Sequence, residues 1–205
     1  MHLSTIMILR TTIALLLFIL VATASFAFWA FGDRLFTSEP ALYTACALVF
    51  FGLGGLALVP GLPQEDRKAM RFSISFALGF LSYAVLWSLL WFSLPTTLGE
   101  VIGSSLGILA LVAIFKKRHH LSVPFLPAIA VVFLFHTLGY YLGDFAYSAL
   151  QGRGPVPIEL DGNPKTIRTA ARLSWGIFYG LGLGAGILAL FQARFSRIDN
   201  PSTQI

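Results

Sequence analysis

Charge and cysteine are both scarce in this chain. Asp, Glu, Lys and Arg make up 11% of its 205 residues, less than half of the roughly 25% typical of soluble domains. Mean hydropathy is +0.80. These values exclude a soluble domain, a disordered chain and a nucleic-acid binder of the usual kind. The net charge of +5 needs no polyanionic partner, because basic loops orient membrane proteins.

The rarity of metal- and redox-active residues excludes further chemistry. Cys46 is the single cysteine, so neither an internal disulfide nor a CxxC redox relay is possible within the chain. Only one of the four histidines, His136, lies well inside an apolar run, which is too few for a bis-histidine haem. His119 and His120 follow three basic residues, where we expect a solvated basic turn. We therefore expect no cofactor and no metal.

Long apolar runs are what the chain has in abundance. A membrane-spanning helix needs about 17–25 apolar residues, and no run shows the alternation typical of barrel strands. The sequence predicts an all-α integral membrane protein, a bundle of six transmembrane helices with short loops in one polytopic domain over 1–205. The predicted helices cover approximately 11–31, 41–59, 72–94, 98–115, 123–150 and 164–193. The longest loop, 151–172, overlaps the start of the sixth helix.

Basic residues predict the orientation. With six helices, nine of the fourteen lysines and arginines lie on the side of the two termini, which favours cytoplasmic termini and an extracytoplasmic loop at 151–172. The short soluble parts favour a prokaryotic inner membrane. A competing interpretation is a signal peptide cleaved at Ala22-Thr23-Ala24.

Glycines recur four residues apart in the last three helices. Such small residues let two helix backbones approach closely in lipid, so we expect helices four to six to form one tight bundle. Alternatively, the glycines of helix six expose backbone to a ligand or a solute path. The predicted packing glycines are Gly99, Gly103, Gly107, Gly139, Gly143, Gly176, Gly180 and Gly184.

Six aromatic residues share one stripe of the third helix. We interpret the stripe as a packing surface or an interfacial aromatic belt; the alternative is a groove for an apolar cofactor or a lipid. Its members are Phe72, Phe76, Phe80, Tyr83, Trp87 and Trp91.

Polar residues within the spans predict a pocket in the outer half of the membrane. His136, Tyr140 and Asp144 are spaced four apart and share one face of helix five. A buried ionisable group in lipid is a functional hypothesis by default. We expect Glu100 to cap helix four with Thr97. An ion pair of Asp144 with Arg168 or Arg172 is the structural alternative. The predicted pocket comprises His136, Tyr140, Ser104, Ser105, Asp144, Glu100 and Arg172.

Three functions remain open. The leading one is solute permeation, transport or solute binding through this outward-facing pocket. The alternative is a non-catalytic accessory or assembly subunit of a larger membrane complex. Expected partners are therefore the lipid bilayer and either a second copy or other membrane subunits. The third is an intramembrane serine hydrolase.

The hydrolase hypothesis rests on a short motif. His136-Thr-Leu-Gly139-Tyr-Tyr-Leu-Gly143 resembles the HxxGxxxG motif of rhomboid serine proteases, and Ser104 or Ser105 lies at comparable depth. The resemblance covers eight residues and implies a Ser–His dyad. The serines stand in a Gly-Ser-Ser-Leu-Gly segment rather than in Gly-x-Ser-Gly, and the serine and histidine helices follow each other directly. We do not assign the chain to that family.

Overall fold

The predicted six-helix bundle is confirmed. The computed structural model describes residues 2–32, 35–153, 155–158 and 161–193, so residues 154, 159 and 160 of the long loop lie outside it. Each of the six helices is long and apolar enough to cross a membrane. The helices are α1 (His2–Phe31), α2 (Glu39–Leu58), α3 (Ala69–Ser93), α4 (Thr96–His119), α5 (Phe125–Leu150) and α6 (Pro164–Gln192). Two 3-10 turns, Val59–Gly61 and Gln64–Asp66, connect α2 to α3.

Helix ends follow backbone hydrogen bonding rather than apolar content. The chain is helical well before residue 11 and past residue 115, because hydrogen bonding continues into the polar flanks. Asn163 caps α6, its side chain accepting from the Lys165 amide at 2.9 Å. The cap predicted at Thr97 is wrong: α4 begins after Pro95 with no side-chain cap bond, and the carboxylate of Glu100 accepts from Tyr140 instead.

The six helices pack as a ring in chain order. α1 contacts both α2 and α6, α3 contacts both α2 and α4, and α5 packs on α6, while the contact between α4 and α5 is slight. Phe18, Phe50 and Phe76 meet inside the ring with ring centroids 5.5 to 5.7 Å apart. The segment with the signal-peptide-like pattern therefore supplies part of the core, including the fully buried Phe18.

Glycines mediate close helix contacts, but between other helices than expected. The three glycines of α4 face α3, and Gly176, Gly180 and Gly184 of α6 face α1. Gly139 faces Gly182 between α5 and α6. Helices five and six therefore pack tightly as expected, but the expectation that helix four joins them in one tight bundle is wrong. A glycine stripe indicates how closely a neighbour approaches, and it does not identify the neighbour.

The aromatic stripe of α3 faces the interior. Phe72 and Phe76 are fully buried, and Phe80 stacks on Tyr83 at 5.2 Å. Farther along the helix, Trp87 stacks on Trp91 at 5.0 Å. The stripe packs against the other helices and also forms one wall of the cavity described below.

His119 contradicts the expected solvated turn. It is 4% exposed, because the 3-10 turn after α2 packs under the end of α4. Its Nδ1 lies 3.2 Å from Asp66 Oδ1, and its Nε2 lies 3.1 Å from Ser75 Oγ. His120 is exposed, as expected, and ends α4 in the left-handed region with φ of 50°.

Candidate functional site

A cavity of about 440 Å³ opens between α1, α2, α3, α5 and α6. Two serines, two alanines and Cys46 complete a lining that is otherwise aromatic. None of the described side chains that line it is charged. The aromatic lining residues are Phe26, Trp29, Tyr43, Phe50, Phe51, Phe80, Tyr83, Trp87, Tyr140, Trp175 and Tyr179.

Helical spacing brings these rings together. Tyr83 and Trp87 are four residues apart on α3, and Trp175 and Tyr179 are four apart on α6, so each pair occupies one helix face. Trp29 of α1 packs edge-on against Trp175 at 5.8 Å. The ring of helices thus turns three separate aromatic faces toward one space.

His136 lies behind the cavity wall, 1% exposed. Its Nε2 lies 2.9 Å from the hydroxyl of Tyr83, and Ser104 and Tyr179 lie close enough to interact with the same hydroxyl. The ring of Tyr140 stacks on His136 at 6.1 Å with an interplanar angle of 22°. The histidine therefore contacts three tyrosines that line the cavity. Its Nδ1 has no hydrogen-bond partner in the part of the chain that the structure describes.

Carboxylates gather at the outer end of this network. Tyr140 donates a hydrogen bond of 3.3 Å to Glu100 Oε1. Asp144, one turn further along α5, is exposed and close enough to interact electrostatically with Glu100. The expected ion pair of Asp144 with Arg168 or Arg172 does not form among the described residues. Two carboxyl groups therefore lie near one tyrosine hydroxyl at this end of the site.

Arg172 and Ser105 do not join the predicted pocket. Arg172 donates to the Trp29 carbonyl at 2.8 Å, and its guanidinium lies 4.9 Å from the Trp29 ring centroid. It therefore contacts the cavity only through Trp29. The Ser105 hydroxyl donates to the Val101 carbonyl of its own helix at 2.7 Å. The predicted set thus divides: His136, Ser104 and Tyr140 share the tyrosine network, and Glu100 and Asp144 lie at its edge.

The dyad required for a serine hydrolase does not form. No serine hydroxyl bonds to His136 in the described ranges, and its Nε2 is paired with the hydroxyl of Tyr83. Nor do three His, Cys, Asp or Glu side chains of these ranges converge as a metal site.

Two buried indole groups remain unpaired beside the cavity. The Nε1 atoms of Trp87 and Trp175 have no hydrogen-bond partner among the described residues. The indole of Trp175 lies against Gly143, where a Cβ would come within 2.8 Å of Nε1. Unpaired N–H groups are costly in an apolar environment, and because both atoms are buried they are not open to a molecule in the cavity.

Much of this site was missed by sequence reasoning, although a signal was present. Phe26 and Trp29 on α1 and Trp175 and Tyr179 on α6 have the same three- or four-residue aromatic spacing that identified the stripe of α3. Comparing all helices for this spacing would have found three aromatic faces instead of one. That would have predicted an aromatic cavity.

No protein-family model, no curated protein and no solved structure matches this chain. The functional conclusion therefore depends on the geometry of the site.

Proposed function

We propose that this protein is a solute-binding or transport component of a membrane, and that its solute is a small, largely apolar molecule with at least one hydrogen-bond acceptor. The observation that carries the proposal is the aromatic cavity of about 440 Å³. Ligand sites generally have volumes of about 300–1,000 Å³, apolar walls and a few placed polar groups.

The lining determines the class of solute. Walls with no charged side chain and few polar groups disfavour an anion and favour a flat or branched apolar molecule. The hydroxyl-bearing residues Tyr43 and Ser88 in the lining favour a carbonyl or ether oxygen on it. The polar pocket predicted from the sequence would accept a polar solute. The aromatic cavity instead favours a more apolar one.

His136 acts in this proposal as a positioning residue. It is buried behind Tyr83 and Tyr140 and does not line the cavity. By hydrogen-bonding one tyrosine and stacking on the other, it holds both rings in the wall. Burying an imidazole in an apolar environment costs free energy. In this proposal that cost is offset because the imidazole fixes the two tyrosine rings that shape the cavity.

The membrane orientation is part of the same proposal. Trp29 near the end of α1 and Tyr43 near the start of α2 belong to the cavity, so it lies in the half of the bundle opposite the N-terminus. The excess of basic residues at the other end favours cytoplasmic termini. The cavity then opens in the outer half of a bilayer, which we infer to be a prokaryotic inner membrane.

Tryptophan fluorescence provides the test, because three of the four tryptophans line the cavity. The probe is 1,4-naphthoquinone, with carbonyl-free naphthalene as its comparison, titrated into the protein in a mild detergent. We expect saturable quenching by the quinone at lower concentration than by naphthalene. Ala84→Phe should abolish saturation because Ala84 lines the cavity.

The matched control places the same bulk elsewhere. Ala130 lies on an exposed face of α5, so Ala130→Phe should leave the quinone titration unchanged. Non-saturable quenching that is equal in all three proteins would refute the proposal. Uptake of the same probe into proteoliposomes then separates transport from binding alone: flux blocked by Ala84→Phe indicates a transporter, and binding without flux indicates a solute-binding component.

A further inference from the structure

A second, basic cavity lies where the first turns of α6 meet the end of α1. It has a volume of about 460 Å³, and we call it the basic cavity. Its polar lining comprises Lys165, Arg168 and Arg172 with the hydroxyls of Thr166 and Thr169. The three cations are spaced three and four residues apart, so they share one face of α6.

Two of the three cations of the basic cavity have no partner among the described residues. The side chains of Lys165 and Arg168 make no hydrogen bond or ion pair with the described residues. Arg172 uses one terminal nitrogen for the Trp29 carbonyl, while its buried Nε has no partner in the same ranges. Two exposed cations without partners in the described part of the chain, beside a partly buried guanidinium, favour an anion.

A cavity of about 520 Å³ at the opposite end of the bundle is also lined by basic residues, Arg71, Lys117 and Arg118, but two of these are bonded within the protein. There Arg118 donates to Ser75 Oγ at 2.9 Å, Arg71 donates to the Arg118 carbonyl, and Lys116 donates to the Leu121 carbonyl at 2.9 Å. Those three cations stabilise the loops of the protein itself. Arg71, Lys116 and Arg118 thus each have a donor bound within the protein, whereas the side chains of Lys165 and Arg168 have no such bond in the described ranges.

The basic cavity lies at the level of the lipid headgroups. α6 has 29 residues and is therefore about 43 Å long at a rise of 1.5 Å per residue. The hydrocarbon core is only about 30 Å thick, so roughly the first two turns extend beyond it. The neighbouring Trp29 and Trp175 are of the type that marks a membrane–water interface.

We propose that the basic cavity binds a phosphate group, either in the headgroup of an anionic phospholipid or as free phosphate. Guanidinium groups bind phosphate oxygens through two parallel hydrogen bonds, and the adjacent threonine hydroxyls supply further donors. This site is separate from the aromatic cavity, so it does not depend on the function proposed above.

The test compares lipids of different charge on the purified protein. Phosphatidylglycerol and zwitterionic phosphatidylcholine are titrated in detergent, and bound lipid is counted by native mass spectrometry. We expect tighter binding of phosphatidylglycerol. Lys165→Gln/Arg168→Gln should weaken it about tenfold or more, since each cation near a membrane surface contributes about 1 kcal/mol and 1.4 kcal/mol is a factor of ten. Both side chains are exposed, so the variant should fold.

The control removes two charges at the other end. Lys68 and Lys117 are also exposed, and Lys68→Gln/Lys117→Gln should leave phosphatidylglycerol binding at this site nearly unchanged. Equal weakening in both variants, or none in the first, would overturn the proposal. Competition by millimolar inorganic phosphate would identify free phosphate as the occupant, and its absence would identify the lipid headgroup.

Discussion

The contact between Gly139 and Gly182 gives the sharpest test of how the bundle positions its site. A Cβ added at Gly182 would lie 2.7 Å from the Cα of Gly139, and one at Gly139 would lie 2.6 Å from the Phe178 carbonyl oxygen. Carbon atoms pack at about 3.5–4.0 Å. Because the obstructing atoms belong to the backbone, Gly182→Ala must push α5 and α6 apart by roughly 1 Å.

The expected loss of stability follows from this separation. Inserting a methyl group into a packed contact costs about 1–3 kcal/mol, while replacing a helical glycine by alanine gains at most about 1 kcal/mol. We therefore expect Gly182→Ala to lower the free energy of unfolding by roughly 1–2 kcal/mol. Since α5 carries His136 and Tyr140, quinone binding should weaken as well.

Gly52 provides the matched control, because a Cβ there would meet nothing within 4 Å. Gly52→Ala should unfold at the same sodium dodecyl sulfate fraction as the wild type, or at a slightly higher one. Unfolding of both variants is followed by circular dichroism in mixed micelles. If Gly182→Ala proves as stable as Gly52→Ala, the close approach of α5 to α6 and the positioning of the site that depends on it are wrong.

Three further substitutions test individual contacts by the same unfolding assay. The His136→Leu/Tyr83→Phe double-mutant cycle should show a coupling of about 0.6–1.5 kcal/mol, and zero coupling would contradict their hydrogen bond. Asp66→Leu should cost about 1–3 kcal/mol, because it leaves a buried nitrogen of His119 without its acceptor, whereas an unchanged stability would place that pair in solvent. Arg172→Leu should cost about 1 kcal/mol by removing a bond to a carbonyl of α1, and Arg172→Lys should restore part of the loss.

Sequence reasoning placed His136 and Tyr140 on one face of α5 and Glu100 near them, but it missed the neighbouring Tyr83 and Tyr179. Depth along a helix can be counted at 1.5 Å per residue, which placed Ser104, Glu100 and His136 in the same half of the membrane. Depth does not specify which helices are adjacent around the bundle. Arg172 was therefore expected near Asp144, although it lies against Trp29 on α1.

His119 shows the same limitation at the other end of the bundle. Its basic neighbours in the sequence indicate solvent, while its neighbours in space are Asp66 and Ser75. The carboxylate comes from a turn 53 residues earlier in the chain. Local composition contains no information on such a contact.

The number of helices, their apolar character and the excess of basic residues at one end follow from composition and run length alone, because the bilayer demands long apolar helices with satisfied backbones. The order of the helices around the ring follows from side-chain fit. That fit brings the aromatic faces of α1, α3 and α6 into contact and creates the cavity between them. Apolar helices are equally soluble in lipid on every side, so only the complementary shapes of their surfaces select the neighbours.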